Sequence, residues 1–190
     1  MRICLATRNA HKIEEIKHQL SMIEWTSLDV IECEDELPET YTTIAENSAQ
    51  KALFIWNNYQ ENCLSDDSGL EVEALNGKPG VDSAHYSGER DAEKNIDLLL
   101  KNLAPFENKK ARFVTVLTLV IDGKIHQFEG EIKGTIIKER KGKNGFGYDP
   151  IFVPENHSTT FAEMTLEQKN VLSHRSNALK KLQDFLDKNE

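Results

Sequence analysis

Apolar residues recur along this chain at two alternating spacings, which predict strands and helices in turn. The run Arg2–Thr7 is typical of a buried strand. Ile13, Ile16 and Leu20 follow it at helical spacing, and Asn9 lies between the two, where it can cap the helix. Further strands are predicted over residues 28–31, 63–65, 112–121, 124–137 and 150–153.

Capping residues and turn signals divide the rest of the chain. Thr43 and Glu46 form a capping box before a second helix, and Asp91 can cap a third. The inner face of the second helix is predicted to hold Ala45, Ala49, Ala52, Leu53 and Trp56. Asp122-Gly123 is a hairpin turn signal, and Leu172–Leu186 closes the chain as an amphipathic helix. Because strands and helices alternate before the hairpin intervenes, we expect a mixed α/β sheet.

The length and composition of the chain exclude several classes of protein function. A chain of 190 residues suits one domain, with room for two lobes. No apolar run approaches the ~20 residues of a membrane span, and the apolar run at residues 1–6 is too short for a secretory signal, so a cytoplasmic protein without a membrane role is expected. The three cysteines lack a CxxC pattern and are typical of buried, reduced thiols. A net charge of −9 argues against broad nucleic-acid binding.

Two adjacent acids, Asp66 and Asp67, mark the stretch Leu64–Leu70. A strand that delivers two carboxylates beside a glycine is one way to build a metal or catalytic site, and Gly69 is expected to turn the chain there. Taken alone, the stretch is more typical of an ordinary turn. Glu39 ends an acidic region and is a third candidate, although the sequence alone favours a solvated loop acid at this position. Mg²⁺ typically takes one or two carboxylates, which leaves a third acid to polarise water.

The segment Thr7–Lys12 lies at a strand-to-helix turn. Free amides at a helix start favour anions, and Lys12 adds a point charge that suits phosphate. An ordinary capped helix with an exposed lysine fits the same residues. The phosphate-binding pattern GxxxxGK[ST] is absent from the chain.

Two later segments carry groups that could bind a base. In Gly145–Pro150 the glycines permit close backbone approach, Phe146 and Tyr148 could stack on a base, and Asp149 could accept hydrogen bonds from it. A local turn with packed aromatics is the alternative. Near the last helix, Lys169 and Arg175 would lie on different sides of one continuous helix. We therefore expect a break near residue 173 if both serve one ligand.

Read together, these segments resemble the inosine triphosphate pyrophosphatase family, the non-canonical purine nucleoside triphosphate pyrophosphatases also called dITP/XTP pyrophosphatases. The matching stretches follow the family's order and cover essentially the whole chain. They are LATRNAHKIEEI at 5–16, LPE at 37–39, ENSAQKA at 46–52, SDDSGLEVEALNGKPGVDSAHYSGE at 65–89, GFGYDPIFVPE at 145–155 and TFAEMTLEQKNVLSHRSNAL at 160–179.

The resemblance implies a fold, an activity and partners. The fold would be one two-lobed α/β domain over residues 1–190, with a long mixed sheet flanked by helices and the active site in the cleft between the lobes. The activity would be Mg²⁺-dependent hydrolysis of ITP, dITP and XTP to monophosphate and pyrophosphate, which cleanses the nucleotide pool. Members are usually homodimers. A non-catalytic purine nucleotide sensor and a pyrophosphatase for pyrimidine or modified nucleotides remain alternatives.

The resemblance also implies residue roles. The family's substrate-binding loop falls on Thr7, Asn9 and Lys12, and its proton acceptor and metal ligand falls on Asp67, followed by Ser68 at the substrate. Glu39 matches the second metal acid, with Asp66 as a further metal candidate. Lys169 matches a lysine that contacts substrate. The base pocket maps to Phe146, Gly147, Tyr148, Asp149, His174 and Arg175.

Selectivity is expected at the purine 6-position. ITP and XTP present a carbonyl acceptor there, whereas ATP presents an amine donor. Donors from Arg175, His174 or backbone amides would pair with the carbonyl, and a site built on such pairs rejects the wrong partner by ~10⁴ or more.

Overall fold

A computed structural model describes residues 2–188 of the chain. The strands are β1 (Arg2–Ala6), β2 (Glu24–Ser27), β3 (Cys63–Val72), β4 (Lys110–Ile121), β5 (Lys124–Ile136) and β6 (Phe152–Pro154). The helices of the same range are α1 (Ala10–Gln19), α2 (Ile44–Tyr59), α3 (Ala92–Leu103), α4 (Leu166–Leu172) and α5 (His174–Asp187). None of the helices in this range combines the length and apolar composition that a membrane crossing requires.

The described strands form one mixed sheet in the order β2-β1-β3-β4-β5-β6. β1 pairs in parallel with β2 and with β3, with Cys4 opposite Cys63. β6 pairs antiparallel with β5. Helices connect the parallel strands β1, β2 and β3, and a hairpin connects β4 to β5, so the predicted mixed α/β class is confirmed.

The chain divides into two compact units. The first unit contains the described residues up to Asp67, Thr115–Gly130, and the described residues from Arg175 onward. The second contains Ser68–Val114 and Glu131–His174.

Each unit has its own buried apolar core. In the first unit, one cluster around Ile3, Leu64 and Leu179 packs α1 and α5 on the sheet. A second cluster holds Cys4, Cys63 and Ile55 with their neighbours. The core of the second unit contains Leu70, Val72, Ile96, Leu99, Leu103, Phe113, Tyr148, Phe152 and Phe161.

Local signals predict several elements correctly. The Asn9 side chain accepts hydrogen bonds from the amides of His11 and Lys12 at the start of α1. Thr43 caps α2, and Asp91 caps α3. Asp122 and Gly123 both have positive φ, as the tight hairpin between β4 and β5 requires.

The prediction of a strand over residues 28–31 is wrong. The second strand lies just before it, at Glu24–Ser27, and the following residues form a hydrogen-bonded turn. The amide of Cys33 donates to the carbonyl of Leu28 at 2.9 Å. Leu28 is buried whereas Val30 is exposed, so the apolar run is not a strand facing one core.

Two further expectations need correction. The chain does not turn at Gly69, because β3 continues through the acid pair to Val72. The inner face of α2 is only partly the predicted one: Ala52 is buried as expected, but the other buried residues include the polar Asn47, Ser48 and Lys51. By contrast, the expected break before the last helix is present: Ser173 has extended backbone between α4 and α5.

Candidate functional site

The acid pair lies inside β3 rather than on a loop. Asp66 and Asp67 are 1% and 8% exposed, although both are carboxylates. Burying a charge is costly unless ion pairs and hydrogen bonds compensate for it. The first unit therefore has to supply cations close to both side chains.

Arg175 and Lys12 pair with Asp66. Arg175 Nε lies 2.7 Å from Asp66 Oδ2, and Lys12 Nζ lies 2.6 Å from Asp66 Oδ1. Arg175, itself 1% exposed, also places its Nη1 2.5 Å from Oε2 of the buried Glu15. Three buried charged side chains and the half-buried Lys12 thus form one cluster in the first unit.

This pairing sets the ionisation of Asp66 and Arg175. Burial alone would raise the pKa of Asp66, but Arg175 and Lys12 outweigh it and hold that pKa well below its usual range. Burial would likewise lower the pKa of Arg175, yet Asp66 and Glu15 raise it. Both groups are therefore charged at neutral pH.

Lys51 of α2 pairs with the other two predicted acids. Its ammonium contacts Glu39 Oε1 and lies 3.0 Å from Asp67 Oδ1. It also donates to the backbone carbonyl oxygen of Asp66 at 3.0 Å. Lys51 is 5% exposed, so two carboxylates share one buried ammonium.

The pKa values of Lys51 and Asp67 are both raised, but for different reasons. Burial would lower the pKa of Lys51, but Asp67 and Glu39 outweigh it and raise that pKa. Burial raises the pKa of Asp67, and the attraction of Lys51 and Lys12 does not fully offset it. A carboxylate with a raised pKa is a stronger proton acceptor than an ordinary aspartate.

Buried hydroxyl groups fix α2 against the sheet one turn before Lys51. Ser48 Oγ donates to the carbonyl of Val116 at 2.8 Å, and Thr118 Oγ1 donates to Ser48 Oγ at 2.8 Å. Ser65 Oγ donates to the carbonyl of Ser48 at 2.6 Å. Because these groups are buried and mutually satisfied, they hold the helix face that carries Lys51 in one position.

The predicted phosphate loop starts at the end of β1. The backbone amide of Asn9 donates to Thr7 Oγ1 at 3.2 Å, and the Asn9 side chain caps α1. Lys12 extends from the first turn of α1 to Asp66. The structure therefore joins the predicted loop to the acid pair within the first unit.

The second unit carries a separate cluster. Lys169 Nζ lies 2.7 Å from Asp149 Oδ2, and both side chains are almost fully buried. The same carboxylate oxygen accepts the backbone amide of Phe146 at 2.9 Å. The Lys169 ammonium also lies 4.8 Å from the centre of the Phe146 ring. A side chain at Gly145 would clash with Asp149, since an added Cβ would lie 2.1 Å from Asp149 Oδ2.

The aromatic neighbours of this cluster have different roles. Tyr148 belongs to the core and donates its hydroxyl to the carbonyl of Ser83 at 3.0 Å, so its ring is not presented for stacking as predicted. His174 stacks on Phe113, with ring centres 4.8 Å apart. Phe161 lies 5.5 Å from the Lys169 ammonium and 6.5 Å from the His174 ring. Phe146 is the half-buried ring of the predicted pair.

The predicted site residues thus divide between two clusters. The first-unit cluster contains Thr7, Asn9, Lys12, Glu39, Asp66, Asp67 and Arg175. The second-unit residues are Ser68, Phe146, Gly147, Tyr148, Asp149, Lys169 and His174. Arg175 was expected in the base pocket with His174, but its three guanidinium nitrogens contact Asp66 and Glu15 instead.

Sequence reasoning missed Lys51 and Glu15. The available signal for Lys51 was its helical spacing from Ile44, Ser48 and Ile55, which share its buried face. Glu15 gave no comparable signal, because it lies in an ordinary polar helix position and pairs with a residue 160 positions away.

The predicted magnesium ligands can be tested against their surroundings. Within residues 2–188 no three His, Cys, Asp or Glu side chains converge in an arrangement that could hold a metal ion. Glu39 and Asp67 nevertheless share the Lys51 ammonium, which lies where one cation contacts both carboxylates. Both Asp66 oxygens contact Lys12 or Arg175. The surroundings fit a metal held by Glu39 and Asp67 and favour a counter-ion role for Asp66.

Comparisons with known proteins agree over the whole chain. The Ham1 family model matches residues 3–185. The dITP/XTP pyrophosphatase of Porphyromonas gingivalis is 47% identical over 188 residues, covering 97% of each chain. That of Flavobacterium johnsoniae is 46% identical over 188 residues, covering 98% of each. The solved Ham1 protein of Staphylococcus aureus superposes with a TM-score of 0.92 at 36% identity, covering 100% of both chains.

Proposed function

Since this chain belongs to the Ham1 family, we propose that it hydrolyses the non-canonical purine nucleoside triphosphates ITP, dITP and XTP to monophosphate and pyrophosphate. The near-full-length relatives named dITP/XTP pyrophosphatase support this activity. In the structure, the observation that carries it is the first-unit cluster, where Asp67 lies among Lys12, Lys51 and Glu39.

Asp67 is the proton acceptor of the proposed reaction. Water attacks the α-phosphorus, its proton passes to the Asp67 carboxylate, and the bond from the α-phosphorus to the bridging oxygen breaks as pyrophosphate leaves. The raised pKa of Asp67, caused first by burial, suits that role. A triphosphate carries about four negative charges, and Lys12 and Lys51 supply positive charge beside the acceptor.

We propose Mg²⁺ as the cofactor, with Glu39 and Asp67 as its protein ligands. When bound, the ion would neutralise phosphate charge and polarise the attacking water. Two carboxylates suit Mg²⁺, which usually completes its octahedron with water and substrate phosphates. Asp66, by contrast, orients Lys12 and Arg175.

The second-unit cluster is proposed to bind the purine. Phe146 offers a ring face for stacking, and Lys169, Asp149 and His174 offer polar atoms for the base edge. Donors to the 6-carbonyl favour ITP and XTP over ATP, because ATP presents an amine at the same place. The donor role of Arg175 stays a prediction, and it requires the guanidinium to share or leave Asp66 and Glu15.

A cytoplasmic location and a homodimeric state complete the proposal. The three cysteines are all buried and free, which suits a reducing compartment. Light scattering of the purified chain tests the dimer, since a mass near 21.6 kDa would indicate a monomer.

A panel of nucleoside triphosphates tests the activity. Purified protein with Mg²⁺ is offered ITP, dITP, XTP, ATP, GTP, CTP and UTP, and monophosphate and pyrophosphate are both measured. Release chiefly from ITP, dITP and XTP supports the proposal. Binding without release from any of them favours a nucleotide sensor, and release chiefly from CTP and UTP favours a pyrimidine pyrophosphatase.

A further inference from the structure

The Lys51 ammonium has three protein acceptors within hydrogen-bond distance. An ammonium has three hydrogen-bond donors and no acceptor. Lys51 directs them to Glu39 Oε1, to Asp67 Oδ1 at 3.0 Å and to the backbone carbonyl oxygen of Asp66 at 3.0 Å. Two of these three acceptors belong to the carboxylates proposed to hold Mg²⁺.

Lys51 and a divalent cation therefore compete for the same oxygens. The Lys51 side chain is 6% exposed, and the buried hydroxyls of Ser48, Ser65 and Thr118 fix the helix that carries it. A metal ion that arrives alone meets two carboxylates that already share an ammonium, and it is repelled by that like charge in a region of weak solvent screening. To bind, it must displace an ammonium that contacts both of its intended carboxylate ligands and is itself costly to leave unpaired in a buried position.

A bound triphosphate would relieve the competition between Lys51 and the cation, because the phosphate oxygens offer the Lys51 ammonium new acceptors. Once the ammonium turns to a phosphate, the cation can replace it as the partner of Glu39 and Asp67. Metal and nucleotide would then each raise the other's affinity, as linkage requires of two coupled ligands.

We propose that Lys51 is an internal counter-ion that keeps Glu39 and Asp67 from binding a divalent cation until a nucleoside triphosphate is present. Lys51 is thus a positioning residue that sets the order of binding and suppresses metal loading of the nucleotide-free protein. The inference rests on the proposed function, from which it takes the metal ligands and the substrate class.

The test measures Mn²⁺ binding by electron paramagnetic resonance, with Mn²⁺ standing in for Mg²⁺. Affinity is determined without nucleotide and with an ITP analogue whose α and β phosphates are joined by a methylene group. The variants are Lys51→Met, which removes the charge, and Lys51→Arg, which keeps it. Lys94→Met is the matched control, because it removes an exposed lysine paired with Glu89.

The decisive comparison is made without nucleotide. Lys51→Met is expected to bind Mn²⁺ about 10-fold or more tightly than the wild type, within the usual range of coupling between sites. Lys51→Arg and Lys94→Met are expected to match the wild type. An unchanged or weaker affinity in a folded Lys51→Met protein overturns the proposal.

Mn²⁺ binding to the wild-type protein also tests the proposal, whether or not the variants fold. Its Mn²⁺ affinity should rise at least 10-fold when the analogue is added. Equal affinity with and without analogue overturns the inference but leaves the proposed hydrolysis intact. If Mn²⁺ fails to bind even with analogue, and the nucleotide panel yields no pyrophosphate, the proposed function fails as well.

Discussion

Asp66→Asn tests whether the buried cluster is built as described. The substitution keeps the side-chain volume and removes one negative charge opposite Arg175 and Lys12. Removing one partner of a buried ion pair costs about 3–5 kcal/mol. Glu15 still pairs with Arg175, and the asparagine keeps one oxygen acceptor. We therefore expect the lower end, about 3 kcal/mol at pH 7.

The pH dependence of this loss has a definite sign. The pKa of Asp66 is lower in the folded protein than in the unfolded chain, where it is about 3.9. The stability from its charge is thus fully present above about pH 4 and declines as pH falls through the folded-state pKa. The difference between wild type and variant should be largest at neutral pH and shrink below about pH 4.

Tryptophan fluorescence during urea unfolding measures the effect. Trp25 and Trp56, the two tryptophans of the chain, both lie in the first unit with the cluster. In thermal unfolding, 3 kcal/mol corresponds to a decrease in Tm of about 6–12 °C for a chain of this size. Asp29→Asn, at an exposed position, should change stability by less than about 0.5 kcal/mol. A loss below about 1 kcal/mol, or one that stays constant from pH 7 to pH 3, would refute this description.

Three further substitutions separate roles in the second unit. Tyr148→Phe should lower stability by about 1 kcal/mol in urea unfolding, because it removes the hydrogen bond to Ser83. ITP turnover should stay within about twofold of wild type, and a large loss of turnover would indicate that Tyr148 contacts the base. Lys169→Met should raise KM for ITP and lower Tm, because Asp149 loses its buried partner; unchanged KM would exclude substrate contact. Gly134→Ala should cost about 1–3 kcal/mol by urea unfolding, because an added Cβ would lie 2.4 Å from the carbonyl oxygen of Val153; wild-type stability would contradict this.

Local signals predicted much of the fold because their causes are local. Asn9 caps α1 with its own side chain, and the Asp122-Gly123 hairpin needs only two residues that accept positive φ. The prediction of a strand at residues 28–31 was wrong, because the order of apolar residues does not reveal which of them face a core. The prediction of a turn at Gly69 was also wrong, because acids followed by glycine are typical of turns and here lie inside a strand.

The site was less predictable than the fold, because its buried charged residues form ion pairs with residues far away in the sequence. Asp66 remains in a buried strand since Arg175, 109 residues later, supplies a counter-charge. Lys51 lies in the matched ENSAQKA stretch, yet nothing in the sequence indicates that its ammonium reaches both Glu39 and Asp67. These contacts are the reason for giving the two adjacent acids different roles, Asp67 as proton acceptor and Asp66 as counter-ion.

Pyrophosphate release from ITP by Asp67→Asn, beside wild type and Asp29→Asn, tests the central claim most directly. The substitution keeps the size of the proposed proton acceptor and removes its basicity. Turnover should fall by at least about 100-fold in a protein that remains folded, because general-base catalysis contributes about 10²–10⁴. The Asp29→Asn control should retain wild-type turnover. Near-wild-type pyrophosphate release by Asp67→Asn would contradict the assignment of the chemistry to Asp67.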